Sequence, residues 1–402
     1  MSIAVSIAPA RRLRLPGLPS PRRLLTIVLL LLVVALVSST VATIAYLRLP
    51  SPTGAFGVGR VETLLTDPSR TEPAERGGGR RAVGLTTWYP AERNTGRPAA
   101  YVPHLDRIAG GLKASGELPG PVVAGIRFVG TAAQSDARVA AARDRYPVVL
   151  LSPGNATNVA FYSALAEELA SRGFVVVGID HPFQGTAVDV GDRVAVYQEP
   201  RAASLQDAVA FKIDERVTDL TFVLDRLGAD SAGLVAMADR IDLDHIGVVG
   251  HSNGGIAAAR LCADERVDAC ANIDGLGAGG PFSARPEPQA PTKPFVFLTK
   301  ERSIAPKLVD LFEAGGADTY RVVVPAAEHD SFSDGPRFRP RLLPTDGTSD
   351  QVLTVERQFV GAFFAHYLSG APASAVDGLN APTDVYIEVY PLHGRPSLPA
   401  TR

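Results

Sequence analysis

The chain has 402 residues, 46% apolar and 20% charged, which suits two or three ordinary domains or one enlarged α/β domain and excludes a wholly disordered protein. With 40 basic against 42 acidic residues the net charge is −2, so the chain as a whole lacks the basic surface a nucleic-acid binder needs. Two cysteines exclude a disulfide scaffold and a Cys-rich zinc module.

The N-terminal segment, residues 1–23, carries Arg11, Arg12, Arg14, Arg22 and Arg23, and the first acid is Glu62. Leu24 to Leu47 then runs without a charge. As a helix that stretch covers about 36 Å, enough for a hydrocarbon core of about 30 Å. Arginine before it and acids after it predict a transmembrane signal anchor, with the N-terminus in the cytoplasm and residues 48–402 outside. The alternative is a cleaved signal peptide, with Ser38, Ser39 and Ala42 as the small residues near a cleavage site. Either way the remaining chain is expected to be exported, anchored in one case and secreted in the other.

Residues 48–80, rich in Gly, Pro and Arg, read as a spacer ending in a poorly defined strand. From 81 to 402 the pattern is one catalytic α/β domain. Strands are predicted over 83–89, 147–151, 174–179, 246–249, 268–273, 295–298 and 320–324, with helices near 157–171, 206–228, 253–264, 304–314 and 352–368. Runs such as PVVLL and FVVVG are continuous rather than alternating, as expected of strands covered on both faces. Strand–helix alternation then implies a mostly parallel central sheet flanked by helices.

Two segments interrupt the alternation, the insert 91–146 and residues 182–205, and both are candidate cap elements over the C-terminal strand edge. Within the insert, Leu105, Ile108 and Leu112 share one helical face. That face either packs down on the domain or borders an acyl-binding mouth.

The chemistry concentrates at strand ends. Gly250-His251-Ser252-Asn253-Gly254 follows a strand and precedes a helix, the setting of a nucleophile elbow. A serine thrust from so sharp a turn needs glycine two before and two after it, because a Cβ there would meet backbone. Ser252 also lies at a helix N-terminus, which favours developing negative charge. A serine hydroxyl needs a base, and the acid and histidine follow the serine in this architecture. Downstream lie His329, in the loop AAEHDSFSD after a strand, His366 in a helical pattern and His393 in a Pro-rich tail, which makes His329 the base.

For the acid there are two contenders: Asp274 at the end of DACANID, and Glu301 after FVFLTK. The oxyanion donors are expected to be the backbone N–H groups of Asn253 and Asn155, the second from the loop Ser152-Pro153-Gly154-Asn155. His181, after the strand FVVVGID, either lines the mouth of the site or only ties neighbouring loops together. Cys262 and Cys270 are either a disulfide of an oxidising compartment or two buried small residues. No metal-ligand spacing and no phosphate loop is present in the sequence, so neither a metal nor a cofactor is expected.

Four stretches resemble the platelet-activating factor acetylhydrolase family, plasma type and bacterial relatives: TTWYPAE at 86–92, RYPVVLLSPG at 145–154, GHSNGG at 250–255 with NIDG at 272–275, and EHDSFSD at 328–334. The resemblance covers about residues 80–370 and implies an α/β-hydrolase fold. It carries the acid role onto Asp274. That family's oxyanion loop reads histidine–glycine, and Pro153 stands here in the histidine's place. The implied activity is calcium-independent serine hydrolysis of short-acyl or oxidised phospholipid esters, with a lipid ester as substrate and the membrane as partner. Two rival expectations are a cutinase-like polyester hydrolase or general carboxylesterase with Glu301 as acid, and a non-catalytic envelope binding protein of the same fold.

Overall fold

The computed structural model describes residues 22–23, 25–34, 48–116, 120–230, 235–275, 289–300, 306–338, 348–377, 379, 382 and 384–390. The chain divides into two units, Met1–Tyr46 and Leu47–Arg402.

In the first unit, residues 22–23 and 25–34 are helical, with exposed leucines and valines. Among the described residues no helix is long and apolar enough to cross a membrane. The span expected over Leu24–Leu47 is therefore not found: the stretch 25–34 rises only about 15 Å, and Leu24 and 35–47 lie outside the described residues.

The second unit is built on thirteen described strands. They are β1 (Gly57–Thr71), β2 (Arg80–Ala91), β3 (Arg97–Pro98), β4 (Ala133–Ser135), β5 (Tyr146–Ser152), β6 (Val175–Asp180), β7 (Ala187–Asp189), β8 (Val194–Val196), β9 (Ile241–His251), β10 (Ala269–Ile273), β11 (Phe295–Thr299), β12 (Thr319–Val323) and β13 (Tyr386–Tyr390). Eleven join one sheet in the order β13-β12-β11-β10-β9-β5-β6-β2-β1-β4-β3, and β7 pairs with β8 separately. From β12 through β6 the strands are parallel, while β13 and β2 add antiparallel at either side. The α-helices are α1 (Leu105–Ala114), α2 (Gly120–Gly125), α3 (Ser163–Arg172), α4 (Leu205–Asp230), α5 (Asn253–Leu261), α6 (Pro306–Ala314), α7 (Thr348–Ser369) and α8 (Ser374–Asp377).

The pleat explains the continuous apolar runs. Val149, Leu151, Val176 and Val249 point to one face, against Leu165 of α3 and Phe363 of α7. Val148, Leu150, Val177 and Val248 point to the other, against Ile213 of α4, Ile256 of α5 and Phe312 of α6. Both sets are fully buried, and each such side chain stabilises the fold by about 1.5–3 kcal/mol.

Within 48–80, read as spacer, the structure places β1, paired along its length with β2. Its residues are largely half-buried or exposed, and Pro68 falls where the register shifts, so no apolar run announces it. No strand is predicted over 386–390, where the structure places β13. The insert 91–146 packs down: Ile108 and Leu112 of α1 are buried in the core with Tyr101. The same helix borders a cavity of about 240 Å³ lined by Val102, Ile108, Asp180 and Val188, and Ser252 is not among its lining residues. Residues 182–205 supply the β7–β8 hairpin.

Cys262 and Cys270 are joined as a disulfide, with Cα atoms 6.0 Å apart, tying the end of α5 to β10. Closing so short a loop restricts the unfolded chain by about 2–3 kcal/mol. The double variant Cys262→Ala/Cys270→Ala should therefore lose about 2–3 kcal/mol in urea unfolding while keeping its activity. Unchanged stability would mean that the thiols are unpaired in the folded protein.

Candidate active site

The turn from β9 into α5 sets the geometry. Ser252 is held at φ 54°, ψ −124°, a conformation that an L residue adopts only under constraint. The neighbouring glycines are obligatory, since a Cβ at Gly250 would lie 2.2 Å from the Gly254 carbonyl oxygen and one at Gly254 2.2 Å from that of Ser152. The Ser252 N–H donates to the Ile273 carbonyl at 2.9 Å, which fastens the turn to the end of β10.

The next residue after that strand is Asp274, itself at φ 49°. Its N–H donates to Leu298 O at 2.7 Å, and its Oδ1 accepts from Thr299 Oγ1 at 3.1 Å. These bonds leave Oδ2 for His329, whose Nδ1 lies 2.6 Å away. The other imidazole nitrogen, Nε2, lies 2.9 Å from Ser252 Oγ. Serine, histidine and aspartate are thus brought together from three separate strand ends. The His329 side chain is 44% exposed and that of Asp274 only 7%, so the ring is reachable while its carboxylate partner is shielded.

His329 is held by its own backbone as well. Nε2–H of His251 donates to the His329 carbonyl at 3.0 Å, so its Nδ1 accepts from Tyr162 Oη at 2.8 Å, and that oxygen accepts from the Gly154 N–H at 3.0 Å. Burial, then the neighbouring His329, lowers the His251 pKa to about 3, so the ring stays neutral and this bonding sense is retained.

Gly154 brings the Asn155 loop beside the serine: a Cβ on it would sit 3.6 Å from Ser252 Cβ. Asn253 is the first residue of α5, where the N–H has no partner within the helix. Sequence patterns did not single out Tyr162, or Arg216, which touches this loop, because neither lies in a motif.

The other candidates fall elsewhere. Glu301 and His393 lie outside the described residues. His366 sits in α7, its Nδ1 beside the Ala371 carbonyl. His181 does not line the mouth: it is 0% exposed. Its Nδ1–H donates to Asp219 Oδ2 at 2.8 Å and its Nε2 accepts from Ser152 Oγ at 3.0 Å. The reason is that α4 delivers the Asp219 carboxylate beneath the sheet edge and draws the ring inward. Burial pulls the His181 pKa down to about 4, and although burial opposes it, the Arg81 guanidinium holds Asp219 well below the usual carboxylate range. Among the described residues no group of three or more His, Cys, Asp or Glu is placed to hold a metal ion.

Comparison with known proteins is consistent with this geometry. The family model described as platelet-activating factor acetylhydrolase, isoform II, matches residues 43–274, a span that contains Ser252 and ends at Asp274. A probable 1-alkyl-2-acetylglycerophosphocholine esterase of Arthroderma benhamiae is 29% identical over 204 residues, covering 47% of this chain and 49% of that protein. A platelet-activating factor acetylhydrolase of Bos taurus is 22% identical over 267 residues, covering 57% and 55%. The chain thus spans about half the length of these curated relatives. Among solved structures, a ferulic acid esterase from Streptomyces cinnamoneus superposes with a TM-score of 0.67 at 29% identity, covering 85% of this chain and 98% of its own.

The neutral His181 has a measurable consequence. Its folded pKa lies below the ordinary histidine value of about 6.5, so the unfolded ring binds more protons at mildly acidic pH. Its contribution is complete above about pH 6.5 and is lost as pH falls towards 4. Between pH 7 and pH 5 the parent should therefore lose about 1–2 kcal/mol more unfolding free energy than His181→Gln, measured by urea titration. Equal losses would show that folding does not lower the ring's pKa.

Proposed function

The chain belongs to the platelet-activating factor acetylhydrolase, isoform II, family, and from that premise we propose that it is a serine carboxylic ester hydrolase acting on short-acyl or oxidised phospholipid esters. The observation that carries the reading is the unbroken line Asp274 Oδ2, His329 Nδ1 and Nε2, Ser252 Oγ, with steps of 2.6 and 2.9 Å. In this mechanism Ser252 Oγ attacks the ester carbonyl as its proton passes to His329 Nε2. The shielded Asp274 carboxylate keeps Nδ1 protonated and stabilises the imidazolium. Asn155 and Asn253 N–H groups hold the oxyanion. His329 then gives its proton to the leaving alcohol, and a water molecule, activated by the same imidazole, releases the acyl group.

A second reading draws on the ferulic acid esterase likeness, which extends over more of the chain than the curated relatives do. In that reading the same three residues hydrolyse smaller carboxylic esters, including aryl esters, and phospholipid is not the preferred substrate.

The expected result is covalent labelling by a fluorophosphonate that disappears in Ser252→Ala. Asp274→Asn should lower kcat by about 10⁴, whereas Glu301→Gln should change it less than about tenfold. The reverse order would make Glu301 the acid. A folded, unlabelled parent would favour a binding protein. Activity on short-acyl phospholipid vesicles should exceed that on feruloyl esters and polyester fragments and should survive a calcium chelator. Hydrolysis confined to the soluble esters would move the assignment to the second reading.

We also propose that the catalytic unit is exported and held at the membrane through Leu24–Leu47. The arginines before that stretch and its freedom from charge support this, as does the disulfide, which suits an oxidising compartment. The protein should remain with membranes after a carbonate wash. A soluble form starting near residue 40 would instead establish a cleaved signal peptide.

A further inference from the structure

The loop Ser152-Pro153-Gly154-Asn155 must present one particular N–H to the substrate, yet it contains glycine and has no regular structure beyond the end of β5. Something must set the direction of its peptides. Arg216 of α4 is 0% exposed; its Nη1 donates to Pro153 O at 2.8 Å and its Nη2 to Gly154 O at 3.1 Å. In a trans peptide the carbonyl and the following N–H point in opposite directions. Holding the carbonyls of Pro153 and Gly154 therefore turns the N–H groups of Gly154 and Asn155 away from Arg216.

From the opposite side, Tyr162 Oη receives the first of these, the Gly154 N–H, at 3.0 Å. Among the described residues no acceptor takes the second, that of Asn155. The grip is costly, since a buried guanidinium gives up its hydration. Arg216 forms no ion pair with a carboxylate among the described residues, and its Nε is without a partner there. Both of its donors that are hydrogen-bonded go to the loop.

We infer that Arg216 and Tyr162 are positioning residues that clamp the Pro153–Asn155 peptides from two sides, so that the Asn155 N–H faces the oxygen of the tetrahedral intermediate. Burial lowers the Arg216 pKa to about 10, so the side chain stays charged at neutral pH. It also polarises the Gly154–Asn155 peptide whose N–H is the donor, which strengthens that donor towards an anion. Through Tyr162 and His251 the same clamp reaches the His329 carbonyl, so the oxyanion loop and the base are kept in one register. The inference deepens the serine-hydrolase reading and rests on it.

The test compares the full chain with Arg216→Lys and Tyr162→Phe, using a short-acyl p-nitrophenyl ester as substrate and an alkyl boronic acid as mimic of the tetrahedral state. Lysine keeps the charge but cannot span two carbonyls. Arg216→Lys should lower kcat by about 10² with KM within about threefold, because the lost interaction acts in the transition state. Boronate affinity should fall in parallel, and Tyr162→Phe should lower kcat by about tenfold. Folded variants that keep kcat within about threefold, or that lose only KM with boronate affinity intact, overturn the inference. If Arg216→Lys does not fold, Tyr162→Phe decides by the same criteria. A parent that no fluorophosphonate labels overturns the serine mechanism and this inference with it, whereas a labelled parent with unaffected variants overturns the clamp alone.

Discussion

Two backbones approach each other at the catalytic edge more closely than any side chain would permit, and the site is built on that approach. The Gly254 Cα lies so near the end of β5 that an added Cβ would be 2.2 Å from Ser152 O and 2.4 Å from Pro153 O. This contact compresses the turn, places Ser252 in its strained conformation and sets α5 directly behind it. It also brings the Pro153–Asn155 loop beside Ser252, since that loop continues from the same Ser152 and Pro153. Strain of this kind persists only where surrounding structure over-determines it. Here the Ser252 N–H bond to Ile273 and the parallel pairing of β9 with β10 do so.

Beneath the edge lies a second aspartate–histidine–serine line, Asp219–His181–Ser152, with hydrogen bonds of 2.8 and 3.0 Å. Its geometry resembles that of Asp274–His329–Ser252, and what separates them is access. All three members of the inner line are 0% exposed. Arg81 meets Asp219 through two bonds of 2.7 Å. Buried charges of this sort contribute little net stability compared with apolar packing of the same volume, but losing one partner is costly. Their evident effect here is positional: they tie β2, the loop after β6, and α4 to the last residue of β5. The same residue pattern thus occurs once within reach of solvent and once as a buried brace.

Much of this was legible in one dimension. Continuous apolar runs identified the central parallel strands because those strands are covered on both faces, and a glycine-flanked serine between strand and helix identified the elbow because backbone sterics allow little else. His329 is marked by its loop after a strand, while position leaves Asp274 and Glu301 as contenders for the acid and the family resemblance points to Asp274. The strands β1 and β13 are poorly marked, β1 showing only as an ill-defined strand beside the spacer and β13 not at all, since half-buried strands carry no continuous apolar run. His181 was equivocal: a histidine after a strand can face outward or inward, and the choice was made by Asp219, 38 residues further on.

The sequence by itself determined the α/β alternation and pointed to Ser252 and His329, because these rest on local backbone geometry and on chain order. Chain order leaves Asp274 and Glu301 both open, and the family resemblance selects Asp274. Tertiary structure alone decided that α1 packs into the core, that Cys262 and Cys270 join, that His181 is buried and that Arg216 and Tyr162 bond to the Pro153–Gly154 backbone. These depend on contacts between residues far apart in the chain, such as the 63 positions separating Arg216 from Pro153. Such contacts leave no periodicity or spacing to read, since the direction of a buried side chain is set by whichever polar groups the completed fold leaves within its reach.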